Sequence, residues 1–308
     1  IMPVESSQKA ATIVVDDKKC ISCGVCVTLC PHNALSLVDG LPVVTGKCRV
    51  CGLCASSCIT KAITMKAKKF TDDGILSQFK PEEVEEPRVV VFSCRRLVEK
   101  DKDYGKNVSV ISLLCSARLD TTLIVDVFRK RAWGVIVATC GNGCRNQSGS
   151  VEAKYKVEFV KKLFDKFGIG SGRIVIVEGK FEDALERFVE ELKPLGEVKE
   201  DLEIIRDVTL DRNVRALVAK MRQITEEGNV YGERIPKDKF EKILEDVVST
   251  AVNSARVSRA IGEGATVSEI AKKTGLSEKE VLDAILEMKR RDKIAVEVKE
   301  EIVCYPKG

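Results

Sequence analysis

The chain has 308 residues, enough for two or three domains, and its 44% hydrophobic content supports a sizeable core. The 51 Lys and Arg nearly balance the 47 Asp and Glu, and a net charge of +4 does not by itself imply nucleic-acid or membrane binding. Thirteen cysteines beside a single histidine point to metal ligation in a reducing compartment rather than disulfides, and exclude chemistry that needs several histidines. No membrane span is expected, because no apolar run reaches about 18 residues. Residues 1–15 lack the basic start and long apolar run of a leader, so a cytoplasmic location is expected.

Residues 1–69 carry most of the cysteines. CISCGVCVTLCP sets Cys20, Cys23, Cys26 and Cys30 in the spacing C-x2-C-x2-C-x3-C. CRVCGLCASSC repeats that spacing 28 residues later at Cys48, Cys51, Cys54 and Cys58. Three thiolates two residues apart wrap three corners of a [4Fe–4S] cubane, whereas zinc sites use separated C-x2-C pairs. Gly24 and Gly52 let the backbone bend towards inorganic sulfide. The region resembles the bacterial-type two-cluster ferredoxins. That resemblance implies crossed ligation, with Cys20, Cys23, Cys26 and Cys58 on one [4Fe–4S] cluster and Cys48, Cys51, Cys54 and Cys30 on the other. Ile59 stands where a second proline, the counterpart of Pro31, is usual. His32 is read as a solvated surface side chain.

Residues 70–87 are polar and acidic, contain Pro81 and Pro87, and read as a linker or docking arm. Residues 88–200 alternate short β-branched runs (88–93, 108–113, 133–139, 173–178) with amphipathic patterns (119–131, 151–167, 181–192). This alternation predicts an α/β domain, a parallel sheet with helices on both faces. Cys94, Cys115, Cys140 and Cys144 fall at or just past strand C-termini. In a parallel sheet those ends share one edge, so four thiols distant in sequence are expected to converge there. GIGSG at 168–172 follows a helix and precedes a strand, the reverse of a dinucleotide fingerprint. A helix cap and turn is expected there, with no nucleotide or flavin held by this chain.

FSC at 92–94, LCSARLD at 114–120, WGVIVATCGNGC at 133–144 and KKLFDKFGIGSGRIVIVEG at 161–179 resemble the methyl-viologen-reducing hydrogenase delta-subunit family, over about residues 88–197. The resemblance implies a [2Fe–2S] cluster on Cys94, Cys115, Cys140 and Cys144, with buried free thiols or zinc as the alternatives. It also implies docking on a heterodisulfide-reductase-like flavin subunit. Three features depart from the family. Leu97 replaces a second cysteine, the later pair is C-x3-C rather than C-x4-C, and Arg145 and Asn146 replace a His-Tyr pair.

Residues 201–308 read as mostly helical. A long helix over 237–261 is followed by a helix over 267–273, a turn, and a second helix capped by Ser277 with Glu280. Strands over 294–298 and 302–305 complete a module that resembles the winged-helix superfamily, with Cys304 as a small core residue. Residues 266–308 hold nine basic and nine acidic side chains, and Glu278 and Glu280 open the would-be recognition helix. Acids there repel a duplex, so a protein-docking or structural wing is expected despite the basic cluster of Lys289, Arg290, Arg291 and Lys293, with DNA binding as the alternative.

The expected fold class is therefore α+β multidomain: a ferredoxin-like two-cluster domain (1–69), a linker (70–87), an α/β parallel-sheet domain (88–200) and a helical, winged-helix-like module (201–308). No nucleophile–base pair or Walker motif supports catalysis by the chain itself. The expected function is an iron–sulfur electron-transfer subunit. It would relay electrons between a catalytic oxidoreductase subunit (hydrogenase, formate dehydrogenase or aldehyde-oxidising type) and the heterodisulfide-reductase-like flavoprotein. The alternative is an iron–sulfur redox-sensing transcription regulator.

Overall fold

The computed structural model describes residues 12–99, 101–146, 148–228, 231–298 and 302–306. The cysteine-rich region is one unit built twice. The first copy holds β1 (Ile13–Val15), the single-turn helix α1 (Val25–Thr28) and β2 (Leu35–Val38). The second holds β3 (Leu41–Val44), the single-turn helix α2 (Leu53–Ser56) and β4 (Ile63–Met65). β1 pairs antiparallel with β4, and β2 with β3 across a two-residue turn. Asp39 and Gly40 both have positive φ there, 50° and 78°, the geometry a tight hairpin requires.

Of the two readings of segment 70–87, the structure shows the docked arm rather than a solvated linker. It contains α3 (Asp72–Leu76), and Ile75 and Phe79 are fully buried in the core of the next domain. The Lys130 ammonium donates to the carbonyl oxygens of Leu76 and Phe79 and lies over the Phe79 ring. Two buried apolar side chains and one cation, helped by the half-buried Leu76 and Val84, thus pin an otherwise mostly polar segment.

The α/β domain follows as β5 (Val89–Cys94), β6 (Val108–Leu113), α4 (Thr121–Arg129), β7 (Gly134–Thr139), α5 (Gly149–Lys166), β8 (Ile174–Glu178) and α6 (Glu182–Leu192). Its four strands are all parallel, in the order β6-β5-β7-β8. Side chains alternate across the sheet. Val90, Phe92, Val135 and Val137 face α4 and α5, and Val89, Val91, Ile136 and Ala138 face α6.

The sequence boundary at 200/201 does not separate two cores. Helices α7 (Leu202–Leu210) and α8 (Arg212–Arg222) and the first half of α9 (Lys237–Ile261) pack into the α/β core through Ile205, Val208, Val214, Phe240, Leu244 and Val248. Only the end of α9, with Val257 and Ile261, belongs to the next core. That core joins β9 (Ala265–Thr266), α10 (Val267–Thr274), α11 (Glu278–Arg290), β10 (Ile294–Val298) and β11 (Ile302–Pro306). Their antiparallel sheet runs β10-β11-β9, and Cys304 is fully buried beneath it. Ser277 and Glu280 form the expected capping box, and Thr266 with Glu269 forms a second at the start of α10.

A buried polar joint ties the cysteine-rich region to the α/β domain. Asp120 caps α4 by accepting from Thr122 N at 2.9 Å. Its two oxygens also accept from Arg215 Nη1 and Nη2 at 3.0 and 2.9 Å. Arg215 in turn donates to the carbonyl oxygens of Cys58 (2.8 Å) and Ser56 (3.1 Å). Burial disfavours the Asp120 charge, but the guanidinium beside it outweighs that and holds its carboxyl far below the usual range. Lys156 is buried alongside and donates to Ser56 Oγ at 2.6 Å and Ala117 O at 3.2 Å.

Asp120→Ala leaves Arg215 buried without its counter-ion, so a loss of about 3–5 kcal/mol is expected, measured by chemical denaturation. For Lys156, burial pushes the pKa down to about 8, against roughly 10.4 in an unfolded chain. Between those values the unfolded chain holds a proton that the folded chain has lost, so stability rises with pH across that window. Lys156→Met is expected to flatten the rise, measured by denaturation from about pH 7 to 10.5.

Candidate cluster-binding sites

The eight N-terminal cysteines gather into two quartets that exchange one member. After burial, the groups that push the Cys26 thiol up to about 11 are Cys58, Cys23 and Cys20. Cys54 is raised by burial and then by Cys51, Cys26, Cys48 and Cys30. One cavity is lined by Cys30, Cys48, Cys51 and Cys54, but not by Cys58. Cys30 therefore sits with the second motif and Cys58 with the first. Cys26 and Cys54 stand where the quartets meet.

The repeat is also a repeat of backbone strain. Gly24 and Gly52 have φ of 71° and 78° and open α1 and α2. Ser22 and Val50 (54° and 57°) recur at the same offset, as do Asn33 and Lys61 (46° and 55°). A β-branched residue such as Val50 is an outlier in this region, and such strain collects where a ligand dictates the path. The curled chain aims amides at sulfur. Ala34 N lies 3.3 Å from Cys30 Sγ and Ala62 N lies 3.2 Å from Cys58 Sγ. Ile59 thus supports the same N–H···S contact as Pro31. Val50 N and Thr12 Oγ1 approach Cys48 Sγ at 3.4 and 3.3 Å. Donors of this kind stabilise negative charge on a ligating thiolate.

The third set lies at the C-terminal edge of the parallel sheet. Cys94 ends β5, Cys140 follows β7, Cys115 follows β6, and Cys144 precedes α5. Cys140 Sγ is 3.8 Å from Cys94 Sγ. A Cβ placed on Gly149 would lie 2.8 Å from Cys115 Sγ and 3.1 Å from Cys144 Sγ, so glycine there leaves the two thiols their room. Burial and then Cys94 and Cys144 push Cys140 up to about 12. Burial also opposes the Cys144 thiolate, but the N–H groups of Asn146 and Ser150 outweigh it and its pKa falls. The first turn of α5 thus favours a thiolate at Cys144. The hydroxyls of Ser116 and Ser148 are buried without a hydrogen-bond partner among the described residues. Four convergent thiols, a glycine cradle and two free hydroxyls fit a sulfide-bearing cluster. Among the described residues no three His, Cys, Asp or Glu side chains close to the spacing of a single metal ion. Leu97, where the family usually has a cysteine, instead packs against the α6 side of the sheet.

The second quartet abuts this edge. Cys51 and Cys144 pack on the small core made by Val25, Leu29, Leu53, Ile59, Cys115 and Ala117. Burial raises Cys51 to about 11, Leu53 N opposes it, and the foremost thiol adding to the rise is Cys115. His32 is not a solvated surface side chain: it is half-buried, and its Nε2 lies 3.1 Å from Asn146 Oδ1. Asn146, one of the departures noted in the sequence, also hydrogen-bonds Cys115 and lowers its otherwise raised pKa. Sequence reasoning missed this bridge, and it missed Asp120 and Arg215, because each joins residues distant along the chain.

Residues 91–197 match the family described as methyl-viologen-reducing hydrogenase, delta subunit, and residues 13–36 match the 4Fe-4S binding domain. The vhu iron-sulfur subunit of the F420-non-reducing hydrogenase of Methanocaldococcus jannaschii is 30% identical over 98 residues, 73% of that protein and 29% of this chain. The chain belongs to the methyl-viologen-reducing hydrogenase delta-subunit family. Its counterpart from Methanococcus maripaludis, also a vhu iron-sulfur subunit, is 29% identical over 126 residues, 94% of that protein and 36% of this chain. The A-type subunit of the ferredoxin:CoB-CoM heterodisulfide reductase of Methanosarcina mazei is 32% identical over 206 residues, 61% of this chain. The chain spans only 26% of that relative's length. Beyond the delta-type domain, the chain thus carries an iron–sulfur binding domain in front of it.

Gly149→Ala is expected to push Cys115 and Cys144 apart and to lower iron bound by the delta-type domain, leaving the N-terminal quartets loaded. Iron analysis alongside visible spectroscopy of the anaerobic protein checks this.

Proposed function

We propose that this chain is a non-catalytic iron–sulfur electron-transfer subunit of a larger oxidoreductase complex in a reducing, cytoplasmic compartment. Cys20, Cys23, Cys26 and Cys58 hold one [4Fe–4S] cluster, and Cys48, Cys51, Cys54 and Cys30 hold the other. Cys94, Cys115, Cys140 and Cys144 hold a [2Fe–2S] cluster. The observation that carries this reading is the packing of Cys51 and Cys115 in one small core across the seam, which brings the third thiol quartet near the second. The clusters supply the one-electron carriers. The chain's own residues fix their order, shut out water and donate to their sulfurs.

The partners proposed are a heterodisulfide-reductase-like flavin subunit together with a catalytic oxidoreductase. The relatives support this, being parts of a heterodisulfide reductase and of a hydrogenase. The second quartet lies between the other two, so the [2Fe–2S] site is the terminal station of an in-line path. The C-terminal module is proposed as a winged-helix-like docking element rather than a DNA reader. Arg291 of its basic cluster is drawn inward to Asp211 and Glu287, and Glu280 is engaged by Ser277 in the capping box.

The anaerobic protein is expected to hold about ten iron per chain, four in each cubane and two in the binuclear centre. Cys94→Ser with Cys140→Ser is expected to bring this to about eight, with both cubanes still reducible by dithionite. A wild-type value near eight, or one zinc per chain, would remove the binuclear centre from the path.

A further inference from the structure

From Gly40 to Thr71 the chain carries six lysines and arginines and no acidic residue. Lys61 is drawn inward to Asp72 and Asp120. The other five, Lys47, Arg49, Lys66, Lys68 and Lys69, are exposed and make no ion pair among the described residues. Arg95 joins them from the end of β5, also exposed and without a carboxylate partner among the described residues. In a chain whose charges otherwise balance, this is a local cationic face that no carboxylate among the described residues pairs with.

The face has a centre. A cleft of about 370 Å³ opens on the seam between the cysteine-rich region and the delta-type domain. Arg49, Lys66 and Arg95 line it, no Asp or Glu does among the described residues, and Val50, Phe70 and Leu114 give it an apolar floor. Thr12, on the same wall, hydrogen-bonds Cys48 Sγ at 3.3 Å, so a ligand of the second quartet lies directly behind the cleft. Leu114, on the opposite wall, is the residue before Cys115.

We propose that this cleft and its cationic rim are the docking site for an acidic one-electron carrier protein, which exchanges electrons with the cluster at Cys48. A small apolar centre ringed by like charges is how transient electron-transfer partners are steered and then oriented. The occupant is a protein surface rather than a small anion. Arg49, Lys66 and Arg95 line the cleft, but Lys47, Lys68 and Lys69 are exposed without lining it, so the positive charge extends beyond what a small anion would need. The step moves one electron: the reduced carrier is oxidised by one, the [4Fe–4S] centre is reduced by one, and no bond or proton need change. This rests on the proposed ligation of Cys48.

The test uses the full-length cluster-loaded protein in an anaerobic stopped-flow instrument. The probe is a reduced two-cluster ferredoxin of strongly negative net charge, compared with reduced methyl viologen, a cation. With ferredoxin, the bimolecular rate should fall at least about tenfold between about 50 and 500 mM salt, as screening removes the steering. Lys66→Glu with Arg95→Glu should lower the ferredoxin rate at least about tenfold at low salt, and leave the viologen rate unchanged or faster. Lys66→Gln with Arg95→Gln should give a smaller loss in the same direction, should the charge reversal fail to fold. Equal losses with both reductants, or a ferredoxin rate indifferent to salt and to both variants, would overturn the docking site. Dithionite titration of the unsubstituted protein reports on the underlying ligation by itself: a second cubane that cannot be reduced there removes the centre, whatever the docking data show.

Discussion

The placement of the cysteine-rich region on the parallel sheet hangs on a carboxylate that no solvent touches. Asp120 is fully buried, and it is at once the cap of α4, the partner of Arg215 and a neighbour of Lys61. Through Arg215 it reaches the carbonyls of Ser56 and Cys58, the turn that delivers one quartet its last thiol. A buried ion pair is poor evidence of net stability, since desolvation cancels much of the attraction. Its value is directional. Two forks of fixed geometry admit one relative placement of the cysteine-rich region and the sheet, and that placement sets Cys51 beside Cys115. An apolar seam of equal area would hold the two bodies together but would let them slide.

The local chemistry of each quartet follows a different rule, repetition. The same three backbone positions turn to positive φ in both halves, and the same amide meets the same cysteine sulfur. Tunnelling partners depend on closely held geometry. A duplicated motif delivers it twice from one conformation, with Ile59 showing that proline is not needed to hold the turn.

Much of this was legible because it is local. Cysteine spacing marks two four-thiol motifs, β-branched runs such as 108–113 declare strands, and the long amphipathic pattern at 237–261 matches α9 at both ends. The order of strands and helices then put Cys94, Cys115, Cys140 and Cys144 on one edge. What could not be read is what depends on pairing across the chain. Asp120 and Arg215 lie 95 residues apart and look, singly, like surface charges. Ile75 and Phe79 hide in an acidic run whose average composition says linker, because two side chains suffice to dock a segment and averages dilute them. The partner of His32 lies 114 residues away, at a position where the sequence merely departs from its family. The capping box at Thr266 and Glu269 did have a local signal, T-V-S-E, of the same form as the one at Ser277.

The sharing of α9 between two cores gives the molecule a stiff strut. Its 25 residues span about 37 Å. One end is clamped against α7 and α8, and the other carries α10 and α11. A body pressing on the C-terminal module therefore works on a lever whose short arm bears on α8, the helix that presents Arg215. Displacement at the far end of the chain would bear, through α9 and α8, on the joint between the cysteine-rich region and the sheet.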